Sequence, residues 1–410
     1  MIVPTGESTK PRIRDLGYAP GRFPPGPQNS ILDVDGVQVG QVTIHEERGI
    51  HTGVTVILPR GPEETALSPC YAATHGLNAA GEMTGAHMIY EWGHLACPIA
   101  ITNTVSIGKV YDALFLWCME QSRKRGENDL EALRRFTIPV VAETFDGYLN
   151  DICASVIDRD VVEKAISAAQ HQPKVLEGNH GGGTAMICSG YKGGTGTSSR
   201  VVPGPQKNYT LGVVVQANHG GRPDLRIADV PVGRLLMEED RKRSAGEAEK
   251  KDAAPEGGKA MEGKYPWKKI LTLNSGIIVV IATDAPLLPH QLKRLAQHAG
   301  MGVAQVSGHS AGRNFSGEIF LAFSTGTSPN KLAEASNGMS YLPPVETQGV
   351  DTVRNETIDT LLYAVSEATE EAILNALCQA ETLTGFQGRK IEALPLDRVQ
   401  ALLNKYMVPK

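Results

Sequence analysis

The sequence predicts an α/β fold built around buried strands, and three features carry that prediction. Short β-branched runs alternate along the chain with longer segments whose apolar residues fall three to four apart. Several of the short runs are apolar throughout, which is the pattern of a strand covered on both faces. At 410 residues with 41% hydrophobic content, the chain can bury a core large enough to cover them.

The elements follow in order. "VTVILP" (54–59) and "CPIAIT" (97–102) read as strands, and Val110 to Arg123 and Val161 to Gln170 as amphipathic helices. "GGGTAMICSGYKGGTGTSSR" (181–200) is the densest glycine stretch. It has neither G-x-x-x-x-G-K-[ST] nor a G-x-G-x-x-G between strand and helix, so it reads as a structural or pocket-lining hairpin rather than a phosphate cradle. "LGVVVQA" (211–217) and "IIVVIAT" (277–283) are strands, and "RNFSGEIFLAFST" (313–325) is another. Pro289 to His298 and Ile358 to Ala380 are helices. One segment departs from the globular pattern. Glu238 to Lys264 is more than half charged, with Met261 as its only large apolar side chain, and is expected to be a mobile surface loop. No repeat and no other linker is visible, so the chain reads as one domain, 1–410, with a long insertion.

Composition excludes several function classes. A net charge of −5 and a pI near 6.1 argue against nucleic-acid binding. The start, "MIVPTGESTKPRIRDLGYAP", is polar, and no apolar run approaches the ~18 residues of a membrane span, so a soluble, cytoplasmic protein is expected. Six cysteines without a C-x-x-C pair read as reduced core residues. His87 and His94 lie near Glu82 and Glu91 but form no H-E-x-x-H, so neither a metal nor a cofactor is expected. "GHSAG" (308–312) matches the nucleophile elbow G-x-S-x-G around Ser310. That motif needs a following helix and a later histidine, whereas here a strand follows and no histidine comes after His309.

Ser275 is the remaining candidate nucleophile. Asn274-Ser275-Gly276 stands between the charged segment and a buried strand, and a serine becomes a strong catalyst only with an adjacent base. Cleavage between Asn274 and Ser275 would supply one, an α-amine with an ordinary pKa of about 7.7–8.0 held beside the hydroxyl. The same hydroxyl can attack the Asn274 carbonyl to make that cut. The plain alternative is that Asn-Ser-Gly is turn chemistry entering a strand.

Longer motifs bear on that choice. "RIRDLGY" (12–18), "NAAGEMTG" (78–85), "EWGHLACPIAITNTVSIG" (91–108), "ETFDGYLND" (143–151), the glycine-rich stretch, "VVVQANHGG" (213–221), "NSGIIVVIATDAPLLPHQ" (274–291) and "SGEIFLAFST" (316–325) occur in this order. Together they resemble the DmpA-type aminopeptidases, which include L-aminopeptidase/D-esterases and β-peptidyl aminopeptidases. The resemblance ends near Thr327. It implies a four-layer αββα sandwich and self-cleavage into an α-chain, 1–274, and a β-chain, 275–410. It implies Ser275 as N-terminal nucleophile, Ser316 and Glu318 as a relay beside it, and Asn218 as the oxyanion-hole amide. It further implies Tyr148 in the active-site pocket and Glu143 facing the substrate ammonium. Two-residue alternation independently puts Ser316 and Glu318 on one strand face.

The expected activity is release of the first residue from short peptides, amino-acid amides or esters, by a homo-oligomer, tetrameric by resemblance. The alternatives are an acyltransferase or oligomer-amide hydrolase on the same scaffold, or an uncleaved, non-catalytic binding protein.

Overall fold

The computed structural model of the protein describes residues 10–128, 137–252, 275–329, 345 and 347–408. Two sheets form its centre. The smaller has the order β1 (Gln38–Glu46), β2 (Ile50–Leu58), β5 (Ile99–Asn103), β6 (Val140–Thr144). The larger runs β4 (His94–Leu95), β3 (Cys70–Ala79), β12 (Ser316–Ser324), β11 (Ser275–Thr283), β10 (Tyr209–Asn218), β9 (Gly194–Val202). Neighbours are antiparallel except β5/β6 and β11/β12, which are parallel. A short hairpin, β7 (Ile187–Cys188) and β8 (Tyr191–Lys192), completes the glycine-rich stretch.

The uninterrupted apolar runs have a direct structural cause. On β11, Ile277, Val279 and Ile281 enter the core shared with two long helices, while Ile278, Val280 and Ala282 enter the core shared with the smaller sheet. On β10, Val213 and Val215 divide from Val214 in the same way, and on β12 Phe320 and Ala322 divide from Leu321 and Phe323. A strand covered on both faces admits a polar residue only where a partner satisfies it, and each buried apolar side chain contributes about 1.5–3 kcal/mol before entropy is counted.

The helices make the outer layers. α1 (Ile107–Lys124) and α2 (Arg159–Ala169) cover the smaller sheet. Asp158 caps α2 by accepting the Val161 N–H at 3.1 Å. On the other side α4 (Pro289–Ser307) packs on β3 and β12, and α5 (Asp359–Gln379) on β9 and β10. The result is helix, sheet, sheet, helix, the predicted four-layer sandwich. α4 continues past His298 through glycines that weaken a helical pattern in sequence. One of them, Gly302, admits α5, since a Cβ there would lie 2.4 Å from Ser366 O.

The charged segment differs from its expectation. Residues 238–252 are helical, the latter part of α3 (Val232–Asp252), not a loop. Lys242 Nζ lies 2.7 Å from Glu238 Oε1 one turn away, and Arg398 of α6 (Leu396–Tyr406) pairs with Glu239 and Asp240, each at 2.8 Å. Such pairs support a helix that a count of charges alone reads as solvated coil. Residues 253–264, with Met261, lie outside the described residues, as does Asn274. No described helix is long and apolar enough to cross a membrane.

Candidate active site

The parallel pair β11/β12 sets the site. Its register begins Ser275 opposite Ser316, then Gly276 opposite Gly317, and on the other side Gly276 faces Asn218 of β10. The two glycines let the strand ends close up, because a Cβ on Gly276 would lie 2.9 Å from Gly317 O. The Ser275 backbone therefore opens a strand held between β10 and β12. Its side chain lies outside the described residues.

Ser316 and Glu318 are both fully buried, and the Ser316 hydroxyl donates to Glu318 Oε1. Glu318 Oε2 has no hydrogen-bond partner among the described residues. Burial pushes this carboxyl above its ordinary range, against the lowering effect of the serine. The entry to β12 is held by Asn78, whose Nδ2 donates to the Ser316 carbonyl and to Arg313 O at 2.8 Å. Opposite Glu318 and Ile319 the ladder slips at a bulge that leaves Leu77 half-exposed.

Asn218 ends β10, buried, with its amide held at both ends. Its Oδ1 accepts from Ile187 N–H of the short hairpin at 2.8 Å, and its Nδ2 donates to Phe145 O at 3.0 Å. An amide has two N–H bonds, and the second has no acceptor among the described residues.

Glu143 comes from the smaller sheet, near the end of β6. Thr104 Oγ1 donates to one carboxyl oxygen and Glu82 N–H to the other, at 3.2 Å for the latter. Burial pushes its pKa up, the hydrogen bonds opposing. Gly81 links it to the larger sheet: a Cβ there would lie 3.1 Å from Glu143 Oε1 and 3.9 Å from Gly317 Cα. Glu143 and the Ser316-Gly317-Glu318 strand start thus border one short loop. Tyr148 is half-buried, with the Arg389 guanidinium 5.1 Å from its ring centre and Arg389 Nη1 3.2 Å from its carbonyl oxygen. Its tie to the group is the loop it shares with Phe145, the carbonyl partner of Asn218.

Sequence reading assigned no role to Asn78 or Thr104, although both lie in the quoted motifs. Each is a polar residue beside a strand end, the signal that could have marked them. The rejected elbow serine, Ser310, is buried after α4 and before β12, with neither the strand before nor the helix after that an elbow needs.

The profile of peptidase family S58 matches residues 29–391. The chain belongs to that family. A β-peptidyl aminopeptidase, BapA, of Sphingosinicella microcystinivorans is 43% identical over 418 aligned positions, covering 99% of this chain and 95% of the relative. A β-aminopeptidase of a Burkholderia species superposes with a TM-score of 0.78 at 40% identity, over 97% of this chain and all of the other. The L-aminopeptidase D-Ala-esterase/amidase of Ochrobactrum anthropi, described as a prototype of the serine aminopeptidases and a variant of the Ntn hydrolase fold, gives 0.80 at 38% identity over 97% and 99% of the two chains. The protein is accordingly a serine aminopeptidase of the N-terminal-nucleophile type, which sets the non-catalytic reading aside.

Proposed function

We propose that this S58 peptidase cuts its own chain before Ser275 and then releases the N-terminal residue of short peptides, amino-acid amides or esters. The observation that carries this reading is the register of Ser275 against Ser316 at the heads of two parallel strands, with buried Glu318 bonded to that serine and Asn218 on the opposite flank. In processing, the Ser275 hydroxyl attacks the Asn274 carbonyl, the Ser275 nitrogen leaves, and water cleaves the resulting ester. The free α-amine then lies beside the hydroxyl it serves.

In turnover the Ser275 oxygen bonds to the substrate carbonyl while its proton passes to the α-amine or to the Ser316/Glu318 pair. The negative oxygen takes the unused N–H of Asn218, in the manner of a preorganised oxyanion donor. Collapse breaks the bond to the leaving amine, which carries the proton away, and water hydrolyses the acyl-enzyme. Glu143 faces the substrate ammonium and Tyr148 lines the pocket. The six free cysteines, five of them buried, support a reducing compartment such as the cytoplasm. A homo-oligomer of αβ units, tetrameric by the resemblance, is part of the same proposal.

N-terminal sequencing of the purified protein tests the proposal. Wild type yields a smaller chain beginning Ser-Gly-Ile, and Ser275→Ala stays whole and inactive. An intact wild type with full activity overturns it.

A further inference from the structure

The GHSAG stretch, rejected as an elbow, has another place in this molecule. After Asn218 the chain turns through Gly220 at φ +83°. The end of α4 and the residues just after it hold that turn by two hydrogen bonds, and a third braces the holding segment itself. His219 Nε2 lies 2.8 Å from Ser307 Oγ, Gly221 N–H donates to Ser310 Oγ at 3.1 Å, and the Ser310 hydroxyl donates to Ser307 O at 2.6 Å. His219 and Ser307 are fully buried and Ser310 nearly so. From the opposite side Ser189 N–H donates to His219 O at 2.7 Å. There is no slack between the two sides: a Cβ on Gly220 would lie 2.9 Å from Ser189 Oγ and 3.1 Å from Ser307 Oγ.

We propose that His219, Ser307 and Ser310 are positioning residues that clamp the β10 end so that the free N–H of Asn218 points where the oxyanion forms. The inference rests on the oxyanion role of Asn218 given above. An oxyanion donor contributes through placement, at about 2.7–3.1 Å from the charge as it develops rather than from the ground-state carbonyl. A loosened turn therefore weakens transition-state binding while leaving substrate affinity in place. The clamp joins the two parts of the chain, since its histidine precedes residue 275 and both serines follow it. A neutral imidazole suffices, and burial alone holds His219 down at about 4.

The test is steady-state kinetics on fully processed enzyme with an amino-acid p-nitroanilide. His219→Leu and Ser310→Ala are measured alone and combined with Asn218→Ala. His219→Gln, which keeps a polar atom near the place of Nε2, and Ser310→Thr are the conservative variants. Each loss variant should lower kcat about ten-fold with KM within about two-fold, less than the ~10²–10³ of deleting a donor outright. The conservative variants should recover most of it. On the Asn218→Ala background the clamp variants should cost nothing further, because the group they position is gone. Full, multiplicative losses on that background overturn the clamp while leaving the oxyanion reading intact. Normal turnover by Asn218→Ala alone removes the oxyanion reading, and the clamp with it. If His219→Leu does not fold, Ser310→Ala and Ser310→Thr carry the same comparison.

Discussion

Ser275 and Ser316 are direct neighbours, the first residues of two parallel strands, and the second serine donates a hydrogen bond to a buried glutamate. In the proposed mechanism Ser316 stands between the nucleophile Ser275 and the Glu318 carboxyl, the place of a proton relay.

Glu318→Gln tests that arrangement, since it keeps the size and an acceptor for Ser316 while removing the charge. Loss of acid–base assistance of this kind typically costs about 10²–10⁴ in rate. The expected outcome is a fall of that order in kcat on processed chains, with an unchanged circular-dichroism spectrum. Turnover within three-fold of wild type would make the pair a packing feature only.

Glu143 should be visible in pH dependence. Burial raises its pKa, so in the free enzyme the carboxylate proposed to face the ammonium is lost at a higher pH than for an exposed glutamate. For wild type, kcat/KM on a free-amine substrate should fall as pH drops through that raised value, and the N-acetyl form should be a very poor substrate. Glu143→Gln should raise KM for the free amine, leave the blocked substrate nearly unchanged and lack this acidic limb. Equal kcat/KM of wild type for free and blocked substrates would replace the aminopeptidase with a general amidase.

A buried ion network joins the ends of the chain. Glu371 of α5 meets Arg14 at 2.6 Å and Arg200 at 2.8 Å, and Asn29 Nδ2 donates to it at 2.5 Å. Burial works to raise its carboxyl, but the arginines prevail and hold it below the ordinary value. A depressed carboxylate adds stability above the unfolded pKa of about 4.3 and loses it as pH falls through the lower folded value. Glu371→Gln takes this carboxylate from the fully buried Arg200 and the partly exposed Arg14 and should cost at most about 3–5 kcal/mol at pH 7. Thermal melts should show this gap closing below about pH 4; a gap constant from pH 3 to 7 would rule out a charge origin.

Lys192 reverses the sign. Its Nζ is fully buried, donating to Gly193 O at 2.8 Å and Gly183 O at 3.4 Å, and burial brings its pKa down to about 7. Between pH 7 and about 10.5 the unfolded chain holds a proton that the folded chain has released, so stability rises with pH across that window. Below pH 7 the folded state carries the cation at full cost. The melting temperature of wild type relative to Lys192→Met should therefore improve from pH 7 to pH 10. A flat difference would mean that the lysine stays charged.

Much of this was legible in the residues. The two-sided burial of β10, β11 and β12 follows from their unbroken apolar runs, and Ser316 and Glu318 share a face by strand alternation alone. Helix ends were less legible. The end of α4 was obscured by Gly300 and Gly302, and the reason for Gly302 is the crossing of α5, a contact distant in sequence. The helical start of the charged segment depends on Arg398, far along the chain. Glu143 and Ser316 border one loop through Gly81, and no spacing in the sequence encodes that meeting of two sheets.

Most chain termini fray, because a terminal residue is tied down from one side only. Ser275 is different, since the strand it begins is hydrogen-bonded to β10 on one edge and β12 on the other. A polypeptide that starts at this residue starts inside a sheet, and its first peptide unit inherits the rigidity of an interior strand. Severing the bond before it would thus create a free amine without creating a loose end.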